Sequence, residues 1–324
     1  VAARAYQILL GVRFRDHHQV PEMKRRQVLV TGAGGFVGRA LALGFADLGW
    51  RVIGLDRAFD ERRESDSMRR STADLAEGVP LDIPDVDLVV HAAWVTTDPA
   101  TLGVTTAEYI ALNTRPLLTM LEYVSRTSPA DFVFLSSSGV FAATDTTEGL
   151  KDSYSPTGTS PYAVAKQAGE ALVRSAFDFQ TEIHVVRLGY LFGPGEVARP
   201  SRVGVSLVAS WLAAARQGQA LAVRSDDPLR EWTFTSDLAV ALEQVVDGPP
   251  VGHPVHLGST HVSRDSAFAA LIASELPGTE PVTVPAEGPV KPPMVPSDIP
   301  ALRDFGWTDP TTGLRVLLAA EVVA

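Results

Sequence analysis

The chain has 324 residues, a net charge of −10 and no cysteine. The negative balance opposes binding to a phosphate backbone, and the lack of thiols excludes disulfide frameworks, thiolate metal sites and thiol catalysis while fitting a reducing cytoplasm. With 45% hydrophobic and 20% charged residues and no apolar run of about 18 residues, the composition is that of a packed protein expected in the cytoplasm, with no nucleic-acid, membrane or metal partner.

Residues 1–23 read as an extension ahead of the fold, with Met23 as a candidate natural start; Arg4, Arg13 and Arg15 and the missing small-residue cleavage site make a poor signal peptide. The short basic clusters Lys24-Arg25-Arg26, Arg62-Arg63 and Arg69-Arg70 read as solvated loops. Gln27 to Thr31 is a β-branched apolar run that breaks into glycines, as a buried parallel strand entering a tight turn does. A helix is expected over Phe36 to Leu48 and a strand over Trp50 to Asp56. The alternation continues with strands at Val86 to Ala93, Asp131 to Ser136 and Ile183 to Leu188, and helices at Thr106 to Arg126 and Pro161 to Phe177. Such alternation predicts an α/β fold: a doubly wound parallel sheet, Rossmann-like, with helices on both faces.

After Gly193-Pro194-Gly195 the chain becomes richer in Gly, Pro and polar turns. The expected organisation is a dinucleotide-binding domain over residues 24–190, to which 231–258 returns through Trp232 to Val246 and Val255 to Gly258. Residues 191–230 and 259–324 form a smaller, discontinuous C-terminal substrate lobe.

The turn Thr31-Gly32-Ala33-Gly34-Gly35-Phe36-Val37-Gly38 lies between the first strand and first helix, where a dinucleotide pyrophosphate rests on helix N-terminal amides such as those of Phe36 and Val37. Gly32 suits the tight turn, Gly35 the close approach of backbone to phosphate, and Gly38 the packing of helix on strand. Asp56 ends the second strand at close to the ~20-residue separation expected of an acid that binds the adenosine ribose. Its charge favours NAD over NADP, although Arg57 next to it can pair with a ribose phosphate. Asp74 and Leu75 are placed to touch the adenine.

Tyr162 and Lys166 are four residues apart, on one helix face. Moving a hydride at a carbinol carbon requires moving a proton on its oxygen, and a phenol serves once its pKa falls; a nearby ammonium favours the phenolate. The pair alone is commonly structural. Leu135-Ser136-Ser137-Ser138-Gly139 raises its standing, because ligands of open α/β sheets sit at the carboxyl ends of strands.

The glycine turn, His91-Ala92-Ala93-Trp94, Asn113, the serine run and Tyr162 with Lys166 resemble an extended short-chain dehydrogenase/reductase of the NAD-dependent epimerase/dehydratase family. The likeness extends through Arg187 to Pro194, Arg230 to Asp237, and Ser297-Asp298 with Phe305-Gly306-Trp307, and so spans about Val28 to Trp307. It implies an NAD-dependent oxidoreductase or epimerase acting on a secondary alcohol or ketone of a sugar-like substrate. Ser137 is then the catalytic hydroxyl, with Ser138 as the alternative; Lys166 also holds the nicotinamide ribose, Asn113 positions the helix or a relay water, and Ala92 and Ala93 line the cofactor. In this family the two helices at Thr106 and Pro161 form a symmetric contact, so a homodimer is expected.

Two departures bear on the substrate. Tyr190 stands where sugar-nucleotide members carry asparagine, and Ser138-Gly139 replaces the Asp-Glu pair of sugar 4,6-dehydratases. Dehydration is therefore disfavoured. A compact hydroxylated or carboxylated substrate is expected, in a pocket bounded by Trp94, Tyr190, Arg202 and Arg230, with either arginine pairing an anionic group. The alternatives are a nucleotide-sugar epimerase or ketoreductase and, in another class, a non-catalytic NAD-binding regulatory protein.

Overall fold

Runs of Val, Leu, Ile and Phe too apolar to face water on either side, joined by the polar edge strand β3, build one seven-stranded, wholly parallel sheet: β1 (Gln27–Thr31), β2 (Arg51–Asp56), β3 (Met68–Thr72), β4 (Leu88–His91), β5 (Asp131–Ser137), β6 (Glu182–Leu188) and β10 (Val255–Leu257). The computed structural model describes residues 25–60, 67–176 and 180–322; the 1–23 extension, Lys24, the Arg62-Arg63 cluster and the expected helix end at Phe177 lie outside the described residues. Strand order is β10-β6-β5-β4-β1-β2-β3. The chain therefore winds outward from β1 in one direction and from β4 in the other, leaving a crevice at the carboxyl ends of these neighbours.

Helices cover both faces. On one, α1 (Phe36–Asp47) and α6 (Leu238–Val246) pack Leu41, Phe45 and Leu242 over Val28, Val30 and Val90. On the other, α3 (Thr106–Thr127) and α4 (Pro161–Arg174) bring Leu117, Met120 and Val173 onto Leu29, Val89 and Phe132. The start of α3 is set by a capping box, in which Thr105 Oγ1 accepts from Glu108 N and the Glu108 carboxylate accepts from Thr105 N at 2.7 Å. Leu112 and Leu118 of α3 and Val164 of α4, on the helices of the expected dimer contact, remain exposed.

The structure departs from the sequence reading in three places. Arg69 and Arg70, expected in a solvated loop, lie on β3, an edge strand; Arg69 pairs with Asp82 and Arg70 covers the Phe59 ring. An edge strand tolerates such polarity, which hid it from an apolar pattern. Trp232 to Phe234 does not return to the main sheet. It belongs to β9 (Leu229–Phe234), which pairs parallel with β7 (Tyr190–Phe192) and antiparallel with β11 (Val262–Arg264). Conversely Ile299, Leu302 and Trp307 pack into the core of the main sheet. A second core holds Phe192, Trp211, Trp232, Phe268 and Leu314, shared by β7, β9, α5 (Leu207–Arg216), α7 (Asp265–Glu275) and α8 (Pro310–Val322).

Candidate active site

Where β1 ends, Gly32 takes φ +69°, and a Cβ there would lie 2.7–2.8 Å from the backbone of Ala92 and Ala93. A Cβ on Gly38 would stand 2.2 Å from Gly32 O. Gly34, to which the sequence reading gave no role, is as constrained: its Cβ would meet Ala58 O at 2.4 Å. Gly35 is the N-cap of α1 and supplies no side chain to cap it, so the amides at this helix start are suited to an anion. Asp56 Oδ2 accepts from Gly34 N at 2.9 Å, and Oδ1 accepts from Ala58 N at 3.2 Å. Arg57, weighed as a ribose-phosphate partner, leans 3.9 Å from Asp74. This cradle, lacking Cβ atoms and carrying one acid at its edge, fits an adenine dinucleotide without a ribose phosphate. It opens into one cavity of about 730 Å³, whose lining runs from Asp74 and Leu75 past Ala92, Ala93 and Trp94 to Tyr190 and Trp232.

At the end of β5 the three serines diverge. Ser136 Oγ donates to Glu170 at 2.6 Å, and Glu170 is itself clamped by Arg187 through two 2.8 Å bonds. This buried network underpins the site and holds the Glu170 carboxyl low despite burial. Ser137 lines the cavity beside Tyr162 and accepts from Gly139 N at 3.0 Å. Ser138, the alternative hydroxyl, is buried off the cavity lining and accepts from Lys291 Nζ at 3.2 Å. Beneath Tyr162 there is no room for a side chain at Gly139, where a Cβ would lie 2.6 Å from Cε1 of the ring.

Tyr162 is held at the start of α4, which Pro161 opens and Ser160 caps by accepting from Ala163 N at 3.1 Å. Lys166 follows one turn later, where its Nζ donates to Leu135 O at 2.6 Å and stands 3.9 Å above the Trp94 ring. Burial pulls its pKa from 10.5 to about 7. Burial also pushes the Tyr162 phenol up, opposed by the Ser137 hydrogen bond and by the charge of Arg202. Asn113 Oδ1 accepts from Val95 N at 2.7 Å while Nδ2 donates to Val95 O and Tyr109 O, so it fixes the loop that carries Trp94. Trp94 forms a floor under Lys166 against Phe134.

Neither pocket arginine is unpaired. Arg230 donates from Nε and Nη2 to Asp265 at 2.6 and 3.0 Å and lies 4.3 Å over the Tyr190 ring. Arg202 donates to Glu196 at 3.2 and 2.5 Å. Each guanidinium thus already has a carboxylate partner, as the buried Arg230 in particular requires. Sequence reasoning also missed Asp265, Lys291 and Glu231, which lie far along the chain from their partners, and Glu196, six residues from Arg202. Glu231 is fully buried, accepting from Tyr190 N at 3.1 Å and Met294 N at 2.9 Å.

A model of the NAD dependent epimerase/dehydratase family matches residues 28–258. The chain belongs to that family. A curated family relative, dTDP-4-dehydro-6-deoxy-D-allose reductase of Streptomyces bikiniensis, is 29% identical over 236 residues, covering 67% of this chain and 71% of the relative. dTDP-4-dehydrorhamnose reductase of Mycolicibacterium smegmatis is 28% identical, covering 75% of this chain and 68% of its own. Among solved structures, the epimerase Mth375 of Methanothermobacter thermautotrophicus superposes with a TM-score of 0.78 at 23% identity, covering 93% of each chain, and shares the fold. Family membership makes this chain an NAD-dependent enzyme of the extended short-chain dehydrogenase/reductase type, with no described helix long and apolar enough to cross a membrane.

Proposed function

We propose that the enzyme interconverts a secondary alcohol and a ketone on a sugar, as a reductase or an epimerase, with Ser137 and Tyr162 moving the proton. The observation that carries this reading is the placement of Ser137 and Tyr162 side by side on the cavity wall, where a Cβ on Gly139 would lie 3.2 Å from Ser137 Oγ and 2.6 Å from the Tyr162 ring. NAD, when bound, supplies or accepts the hydride. Tyr162 gives its proton to the substrate oxygen in reduction or takes it in oxidation, and Ser137, beside it on the cavity wall, hydrogen-bonds the same substrate oxygen. Lys166, set one turn below, holds the nicotinamide ribose, and Asn113 keeps the Trp94–Val95 loop in place beside it.

Elimination of water is disfavoured by shape as well as by residue type. Gly139 has no space for an acidic side chain, and Ser138 is turned away onto Lys291. Replacing Tyr162 with Phe tests the relay: turnover falls by about 10²–10⁴-fold while NAD affinity holds, and activity within about tenfold of the unaltered enzyme rejects it.

For the substrate, the names of the curated relatives favour a keto sugar carried on a nucleoside diphosphate. A second reading, a compact hydroxylated or carboxylated sugar, is favoured by Tyr190, which stands where sugar-nucleotide members carry asparagine. Calorimetric titration with TDP and UDP against simple sugar acids separates them. Nucleoside diphosphate binding that Arg230→Ala weakens supports the first; binding of sugar acids alone supports the second.

A further inference from the structure

Residues 199–203 cross the mouth of the cofactor groove from the side of β7. The crossing is a tight turn closed by Arg199 N to Arg202 O at 2.9 Å and Arg202 N to Arg199 O at 2.8 Å. It is tied to the loop after β4 by five bonds: Thr96 N to Ser201 O at 2.8 Å, Thr96 Oγ1 to Ser201 O at 3.4 Å, Thr97 N to Ser201 O at 3.2 Å, Thr97 Oγ1 to Pro200 O at 2.9 Å, and Val203 N to Thr97 Oγ1 at 3.0 Å. From this strap Arg199 reaches to the carboxyl end of β2. Its Nη2 donates to Ala58 O at 2.7 Å, and Nη1 stands 3.9 Å from Asp56 Oδ2. The same Nη1 lies 3.2 Å from the Cβ position of Gly34 and 3.9 Å from that of Gly35.

A guanidinium contributed from far along the chain thus rests against the glycine turn, and Arg199 lines the cavity there. The pyrophosphate of a dinucleotide carries two negative charges, which the α1 amides meet only from below. A guanidinium offers five N–H donors in a planar fork suited to phosphate oxygens, and the bond to Ala58 uses one of them. Arg57, the nearby cation on β2, is more than half exposed and directed to Asp74.

We propose that Arg199 is a cofactor-binding residue that grips the NAD pyrophosphate from the strap side, so that the dinucleotide leaves only when the strap lifts off Thr96 and Thr97. The proposal rests on NAD binding and is independent of the Ser137–Tyr162 relay.

The test reads binding alone, on the full chain in a Tyr162→Phe background. NADH fluorescence gives the rate of NADH release when excess ADP-ribose displaces it, and titrations give affinities for ADP-ribose and for adenosine. Arg199→Ala is expected to speed release and weaken ADP-ribose by about tenfold, the loss of one charge-assisted hydrogen bond, with adenosine affinity changed less than about twofold. Arg199→Lys, which keeps the charge and loses the fork, is expected to fall between. Thr97→Val, which unties the strap and keeps the guanidinium, is expected to speed release as well. Release and ADP-ribose affinity unchanged in Arg199→Ala overturn the proposal. Equal losses for adenosine and ADP-ribose also overturn it, since the residue then holds the nucleoside or the fold and not the pyrophosphate.

Discussion

The glycine turn and the pocket around Tyr190 are both ligand-facing, yet they are built on opposite principles. At the turn, function is set by what is missing: Gly32, Gly34 and Gly38 leave backbone so close that a single Cβ would collide. Around Tyr190, function is set by pairing. Arg230 is matched by Asp265, Arg202 by Glu196, and Glu231 by two backbone amides. A backbone cradle admits one class of ligand whatever its neighbours do. A charge-balanced pocket can be retuned by changing one partner, which is how one family scaffold serves many substrates.

The sharpest way to break that comparison is to strike each half at its own support. Tyr162→Phe, with its expected 10²–10⁴-fold loss of turnover at about constant NAD affinity, shows that the cradle works without the proton relay. Asp265→Ala leaves Arg230 buried and unpaired, and breaking such a pair is expected to cost about 3–5 kcal/mol, read as a lowered melting temperature. A loss under about 1 kcal/mol would mean that Arg230 turns to solvent and that the pocket is not charge-balanced at all.

The same contrast explains what the sequence revealed. The parallel sheet, the glycine turn and Asp56 were legible because local patterns fix them: an apolar run, a break into glycines, an acid at a strand end. Tyr162 stood out by its spacing to Lys166 and Ser137 by the family likeness, and both line the cavity. The partners of the pocket arginines were not, because Arg230 meets Asp265 across β9 and α7, and nothing in either segment's periodicity marks the contact. β3 escaped for a related reason: Arg69, Arg70 and Ser71 on an edge strand resemble a polar loop.

Glu231 offers a pH-dependent handle on the pocket. Burial lifts its carboxyl from 4.5 to about 7, against the pull of two backbone amides and Lys291. The folded chain therefore holds, between about pH 4.5 and 7, a proton that the unfolded chain has released, and stability drawn from this group declines as pH rises through that window. The facing groups Lys291, Arg230 and Tyr190 titrate above it or not at all within it. Glu231→Gln removes the slope, so the variant gains on the unaltered protein by up to about 3 kcal/mol between pH 5 and 8. Melting curves that run parallel across that range would remove Glu231 as the source.

The smallest expected effect concerns cofactor choice, and it asks whether the cradle, too, contains a tunable charge. Asp56 is anchored by Gly34 N and Ala58 N, and its carboxylate occupies the edge where a ribose phosphate would fall. Removing it leaves the glycine geometry intact, because those contacts reach the backbone of the turn and not its core packing. Asp56→Ala should therefore narrow the preference for NAD over NADP by about tenfold, the repulsion and hydrogen bond of one half-buried carboxylate. Arg57, exposed and leaning toward Asp74, is set apart from that edge, so Arg57→Ala should shift the preference by less than about twofold. Titration of both cofactors against both variants decides it. If Arg57→Ala moves the ratio more than Asp56→Ala does, the discriminating charge is the guanidinium, and the two halves of the site are less different in kind than their geometry indicates.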